Sequence, residues 1–174
     1  MKNFNKCVFL DRDGVLNEDL GYISSIKKFK ILPYTGKAIK FLNDRGYLVI
    51  LITNQAGVGR GLITLKQLTS IHLYLKRIIK KNMATINDIY FCPFHPTHGI
   101  GKYKKNTQDR KPGSGMIKKA IKKWNIDIKN SFMIGDRKKD LLCSKGAGVK
   151  FYYKSKKKNL YQQVKEVVKK KTIL

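Results

Sequence analysis

The stretch Lys6-Cys-Val-Phe-Leu-Asp11-Arg-Asp13-Gly14 constrains the fold more than any other part of this chain. Its apolar run shows no alternation, so it reads as a strand buried on both faces, in the middle of a parallel sheet. In open α/β sheets the ligand crevice lies beyond the carboxyl ends of such strands, which puts Asp11 and Asp13 inside it. Two carboxylates there attract a hard cation. Set two residues apart on a turning chain, they can also divide the chemistry, one attacking and the other moving protons.

The rest of the sequence repeats the alternation that this strand implies. Short runs rich in Val, Ile, Leu, Phe and Tyr predict strands at 6–10, 47–52, 88–92, 131–135 and 149–153. Helical patterns fall between them at 35–45, 64–81, 114–124 and 138–146. In the second, Leu65, Leu68, Ile71, Leu75 and Ile78 recur at helical spacing after Thr64, a fitting N-cap, and Gly46 stands where the helix before it is expected to end. A last helix over 159–171 places Leu160, Val164, Val167 and Val168 on one face, reached through a solvated basic linker, Lys154 to Lys158. The pattern predicts a three-layer, Rossmann-like α/β fold: a central parallel sheet with helices on both faces, as one domain over 1–174. Two stretches lack a period, 14–33 and the loop 93–113, and loops of about 20 residues inside a compact domain are usually functional or mobile.

Composition narrows the class. No apolar stretch nears the roughly 20 residues of a membrane span, and the first apolar run stops at charges too soon for a signal peptide. Three irregularly spaced cysteines form no disulfide framework, so a reducing cytoplasm is expected. The net charge of +27 invites a nucleic-acid partner, but only six of the 38 basic residues are arginine, the favoured reader of phosphates and bases. The lysines are spread through every segment among Ile, Asn, Tyr and Phe, as codon drift produces. The charge still steers an anionic substrate toward the protein.

Four segments at the ends of four predicted strands carry chemistry. Asp11-Arg12-Asp13-Gly14 is the first. Thr53-Asn54-Gln55, followed by Gly57, Gly59 and Gly61, offers donors and close backbone approach to phosphate oxygens. Arg110-Lys111-Pro112 brings a point charge for a phosphoryl group. Gly135-Asp136-Arg137-Lys138-Lys139-Asp140 brings Asp136, which can complete a magnesium site.

In this order and at these spacings, the set resembles the haloacid dehalogenase superfamily of aspartate-nucleophile phosphatases over residues 6–153, almost the whole chain. The resemblance implies the superfamily's fold without a large cap domain, and a magnesium-dependent phosphomonoester hydrolase working through an aspartyl phosphate. It makes Asp11 the nucleophile and Asp13 the general acid/base, with Thr53 and Lys111 on the transferring phosphoryl. Metal ligation falls to Asp11, Asp136 and the main-chain carbonyl of Asp13. Like charge nearby is expected to help keep Asp13 protonated until it is needed.

The segments FLDRDGVLN, Gly21-Tyr22, TNQAGVGRG, Cys92-Pro93-Phe94-His95-Pro96 and DRKPGSGM look more narrowly like the heptose 1,7-bisphosphate 7-phosphatases, with histidinol-phosphate phosphatases as the neighbouring branch. That likeness implies removal of the C7 phosphate in nucleotide-heptose and lipopolysaccharide core synthesis. The implied substrate contacts are Asp19, Tyr22, Asn54, Gln55, Ala56, Arg60, Arg110 and Arg137. The partner is a small sugar bisphosphate, not a membrane or a nucleic acid, and the chain is expected to be a monomer. Arg60, Arg110 and Arg137 suit a second phosphate, which favours the bisphosphate over histidinol phosphate. A basic nucleic-acid binder on this scaffold would lack a catalytic carboxylate, whereas a polynucleotide end phosphatase shares the chemistry. Many relatives brace the long loop with structural zinc on four ligands. Here Cys92 remains, but Phe94, Thr107 and Asp109 stand at the other positions, so a zinc-free loop is expected. The alternative ligand set is Cys92 with His95, His98 and Asp109. Cys7 and Cys143 read as small buried hydrophobes.

Overall fold

The structure, a computed structural model, describes residues 4–172, so the ends of the expected domain, 1–3 and 173–174, lie outside the described residues. Five parallel strands form one sheet: β1 (Cys7–Leu10), β2 (Leu48–Asn54), β3 (Asp88–Cys92), β4 (Phe132–Gly135) and β5 (Lys150–Tyr153), in the order β3-β2-β1-β4-β5. The unbroken apolar run is the central strand. Cys7 to Leu10 pair with Leu48 to Leu51 on one side, and Val8 to Leu10 with Phe132 to Ile134 on the other.

Six helices cover the sheet: α1 (Thr35–Asn43), α2 (Ala56–Gly59), α3 (Leu65–Lys81), α4 (Gly115–Trp124), α5 (Lys138–Gly146) and α6 (Leu160–Thr172). Strand residues alternate between two cores. Val8, Leu10, Val49 and Leu51 face a core with Ile39 of α1, Ile71 and Leu75 of α3 and Val164 of α6. Cys7, Phe9, Ile50 and Ile52 face a second, with Ile117 of α4 and Cys143 of α5. Both faces of β1 are sealed, and each large apolar side chain so buried contributes roughly 1.5–3 kcal/mol. Cys7 and Cys143 are buried as expected, and burial raises both thiols, Cys143 to about 12.

Three boundaries differ from the sequence reading. β2 runs on through Asn54, because Thr53 and Asn54 still pair with Phe91 and Cys92, so two residues expected in a turn are held by a strand. The glycine-rich turn after it contains the short helix α2, and α1 stops at Asn43. The 154–158 linker is an irregular loop, exposed over 156–158 as expected. Lys154 is half-buried, and its Nζ donates to the carbonyls of Ser155 and Lys158, both at 2.9 Å. Thr64 caps α3 as predicted: its Oγ1 accepts from the Gln67 amide, and Gln67 Oε1 accepts from the Thr64 amide.

The order β3-β2-β1-β4-β5 reverses direction at β1, so the chains leaving β1 and β4 diverge and open a crevice between them. The loop 93–113 folds back toward it. Arg110 Nη1 donates to the Phe94 carbonyl at 3.1 Å, the Ile100 amide to the Gly59 carbonyl at 2.8 Å, and the Phe94 ring lies 5.9 Å from that of Tyr103. No described helix is long and apolar enough to cross a membrane.

Candidate active site

At the carboxyl end of β1 the Asp11 amide still bonds the Ile134 carbonyl of β4 at 3.1 Å, so the sheet itself fixes this residue. Asp11 is buried, and its Oδ1 accepts from the Arg12 amide at 2.7 Å and from Lys111 Nζ at 2.8 Å. Oδ2 is left as the carboxylate oxygen with neither of these donors. Burial pushes the Asp11 carboxyl up to about 6, against the opposing charge of Lys111. Lys111 is raised as well, because Asp11 and Asp140 outweigh the cost of burying its charge. At neutral pH both groups are ionised.

Lys111 stands behind Asp11 and is fully buried, not at the cavity surface where a phosphoryl ligand was expected. Its three donors go to Asp11, to Asp140 at 2.6 Å and to the Ile52 carbonyl at 2.9 Å. Asn54, expected to contact substrate, lines the cavity, but its amide braces Lys111. Its Nδ2 donates to the Lys111 carbonyl, and its Oδ1 accepts from the Lys111 amide, both at 3.0 Å.

Asp13 has the Asp11 charge near it, as expected, and its carboxylate also accepts from Arg12 Nη2 at 2.7 and 2.9 Å, Arg12 Nε at 3.0 Å, Asn17 Nδ2 at 2.9 Å and Gln55 Nε2 at 2.9 Å. Gln55 Nε2 also donates to Thr53 Oγ1 at 2.9 Å, tying the hydroxyl to the same network.

Asp11, Asp136 and Asp140 bring carboxylate oxygens within 4.8 Å of one another, the only such cluster of three among the described residues. Gly14, at φ +79°, is what lets Asp136 in, because a Cβ there would lie 2.5 Å from Asp136 Oδ2. Gly135 does the same for Asp140, whose Cβ would be 2.4 Å from one on that residue. Burial and the Asp140 charge raise Asp136. Asp136 Oδ1 is buried with no hydrogen-bond partner. A crowd of carboxylates with an orphaned oxygen is a donor set that suits a hard divalent cation.

Asp140 went unassigned in the sequence, although it sits in the same segment as Asp136. It is fully buried, and its Oδ2 accepts from the Arg137 amide at 3.0 Å, closing the first turn of α5. The spacing of Asp136 and Asp140 across that turn is the signal that marks it.

A cavity of about 290 Å³ opens over Asp11 and Asp13, lined also by Asp19, Tyr22, Thr53, Asn54, Gln55, Ala56, Arg110 and Arg137, and by Lys139, which the sequence did not single out. Asp136 and Arg60 lie at its margin, outside the lining. Arg60 Nη1 donates to the Tyr22 hydroxyl at 2.6 Å, and Arg137 is ion-paired with Asp19, so four expected substrate contacts are engaged in pairs across the mouth. Arg110 is half-buried, and burial lowers it. The alternative zinc ligands do not converge. Cys92 Sγ is directed to the Phe94 carbonyl, Asp109 is ion-paired with Lys119, and His95 Nδ1 accepts from the amides of Thr97 and His98.

The arrangement can hold a cation beside a buried carboxylate and offer a second carboxylate for proton transfer, which is the equipment of phosphoryl transfer. Comparison with known proteins agrees. The sequence model of the haloacid dehalogenase-like hydrolases matches residues 102–154. The D-glycero-beta-D-manno-heptose-1,7-bisphosphate 7-phosphatase of Haemophilus ducreyi is 43% identical over 146 residues, spanning 83% of this chain and 80% of that one. The alpha-anomer enzyme of Burkholderia mallei is 40% identical over 145 residues, spanning 83% and 77%. Among solved structures, the D,D-heptose 1,7-bisphosphate phosphatase of B. bronchiseptica, complexed with magnesium and phosphate, shares the fold with a TM-score of 0.80 at 24% identity, over 95% of this chain and 99% of that one.

Proposed function

The chain is a phosphatase of the haloacid dehalogenase-like hydrolases, in the family of the D-glycero-D-manno-heptose-1,7-bisphosphate 7-phosphatases, and on that premise we propose that it removes the C7 phosphate of heptose 1,7-bisphosphate in the synthesis of nucleotide-activated heptose for lipopolysaccharide. The observation that carries this reading is the meeting of Asp11, Asp13 and Thr53 on one cavity, with Lys111 behind Asp11 and an Asp136 oxygen within 4.8 Å of it.

Asp11, Asp136 and the main-chain carbonyl of Asp13 are the residues that would hold magnesium, which supplies charge neutralisation for the phosphoryl oxygens. Hydrolysis of a phosphate monoester needs its barrier lowered by about 20 kcal/mol or more, and positioning and electrostatics supply most of that. Asp11 attacks phosphorus through Oδ2, the oxygen free of Arg12 and Lys111. The P–O bond to the sugar breaks as the bond to Asp11 forms, giving an aspartyl phosphate. Lys111 keeps the nucleophile ionised and sets a positive charge behind the group being transferred. Thr53 donates to a phosphoryl oxygen. Asp13, as general acid, gives a proton to the departing O7. It then takes one from the water that attacks phosphorus, releasing inorganic phosphate and restoring Asp11. Arg110, Arg137 and Arg60 surround the mouth and suit the C1 phosphate, while Asp19, Tyr22, Gln55 and Ala56 contact the sugar.

Phosphate release from both anomers of heptose 1,7-bisphosphate and from histidinol phosphate, with magnesium and with chelator, tests the reading. The expected result is magnesium-dependent turnover with the highest kcat/KM on a heptose bisphosphate. A higher kcat/KM on histidinol phosphate overturns the substrate.

A further inference from the structure

Arg12 lies between the two catalytic carboxylates in sequence, yet its side chain is sealed from solvent. Its Nη2 and Nε grip Asp13, and its remaining nitrogen, Nη1, lies 3.2 Å from Nε2 of His72. Arginine has no acceptor, so Nε2 must be the bare, accepting nitrogen of a neutral imidazole, with the proton on Nδ1. The surroundings agree. His72 is buried on α3 against the Phe91 ring, 5.7 Å between centroids, and the Arg12 guanidinium lies 5.8 Å from the Phe29 ring centroid.

A guanidinium is planar, so anchoring Nη1 fixes the direction in which Nε and Nη2 point. Asp13 sits on the turn that leaves β1, whereas His72 sits in the middle of a long, capped helix. We propose that His72 is a positioning residue for proton transfer, holding through Arg12 the place at which the Asp13 carboxyl meets the leaving oxygen. The proposal rests on the assignment of Asp13 as general acid/base made above. The alternative is that His72 only satisfies a buried arginine and matters to stability alone.

The two differ in their dependence on the leaving group. A sugar alkoxide needs a proton to depart, whereas p-nitrophenolate leaves without one. kcat/KM reports steps through formation of the aspartyl phosphate, so it isolates the acid role. For full-length enzyme with magnesium, His72→Leu is expected to lower kcat/KM on heptose bisphosphate by about 10- to 100-fold and on p-nitrophenyl phosphate by no more than about threefold. His72→Gln, whose amide oxygen accepts from Arg12, is expected to recover most of the loss. Equal losses on the two esters, or a glutamine variant as impaired as the leucine one, overturn the proposal. If circular dichroism shows that His72→Leu does not fold, His72→Met takes its place. Asp13→Asn is the control. If it lacks the same selective loss, the acid/base assignment itself fails, whatever the His72 variants do.

Discussion

Lys111 Nζ and Asp140 Oδ1 stand 2.6 Å apart with neither side chain exposed, and the other oxygen of the same carboxylate accepts from the amide that begins α5. Asp140→Ala therefore leaves a buried ammonium with Asp11 as its one counter-charge, beside the Ile52 carbonyl, and opens a helix terminus. Removing one partner of a buried pair costs about 3–5 kcal/mol, and a lost cap about 1 kcal/mol more. Urea unfolding should show a loss of that order, with turnover collapsing. Asp140→Asn keeps an oxygen for the Arg137 amide and should lose less stability. An alanine variant within about 1 kcal/mol of wild type refutes the dual role.

Asp11→Asn keeps the shape and the Arg12 amide bond but cannot form an aspartyl phosphate. Turnover should vanish while the circular dichroism spectrum is unchanged. Retention of more than about a few per cent of activity excludes the covalent route.

Gly14→Ala places a methyl group against Asp136 Oδ2 at a backbone angle that L-residues resist. The left-handed conformation costs roughly 1–2 kcal/mol, and Asp136 must also move. The magnesium concentration giving half-maximal rate should rise at least about tenfold. An unchanged magnesium requirement argues against Asp136 as a ligand.

Burial, with the charges of Arg12 and Lys76 adding to it, lowers His72 from 6.5 to about 3. The unfolded chain binds this proton more readily, so the contribution of His72 is present above pH 6.5 and is lost as pH falls toward 3. By pH 5 the loss amounts to about 2 kcal/mol. Urea unfolding at pH 7 and pH 5 should show that difference between wild type and His72→Gln. The raised Asp11 acts in the opposite sense, with stability falling as pH rises from 3.8 to about 6, but both proteins share it. Equal pH dependence in the two proteins removes the assignment of a neutral His72.

For the loop 93–113 we expect no bound zinc, its hold being the Arg110–Phe94 bond and the Phe94–Tyr103 ring contact. Elemental analysis of purified protein should find well below one zinc per chain. One zinc per chain sinks this expectation, and so does a Phe94→Ala variant that leaves protease resistance of the loop unaltered.

What the sequence disclosed follows from how local each signal is. The run Cys7–Leu10 declares a doubly buried strand because every residue in it is apolar, and Thr64 with Gln67 caps α3 using neighbours in the chain. Asp11, Asp13, Thr53 and Asp136 are legible because strand ends point to them. Roles that arise only when distant segments meet are not. Asn54 looks like a substrate donor until the Lys111 loop folds onto it. Asp140 looks like one more surface charge until Lys111 reaches it. His72 is a lone histidine on a helix until Arg12 arrives from the turn after β1.

All strands of the sheet point the same way, so the two rims of the molecule answer to different demands. Among the described residues, the rim opposite the cavity, where Lys6 rests on the Tyr47 ring and Asn5 bridges to Ile126, carries none of the candidate site residues. Nucleotide bias can rewrite that side toward lysine, and an affinity tag or an immobilising linker can be attached there, while the opposite rim goes on turning over substrate.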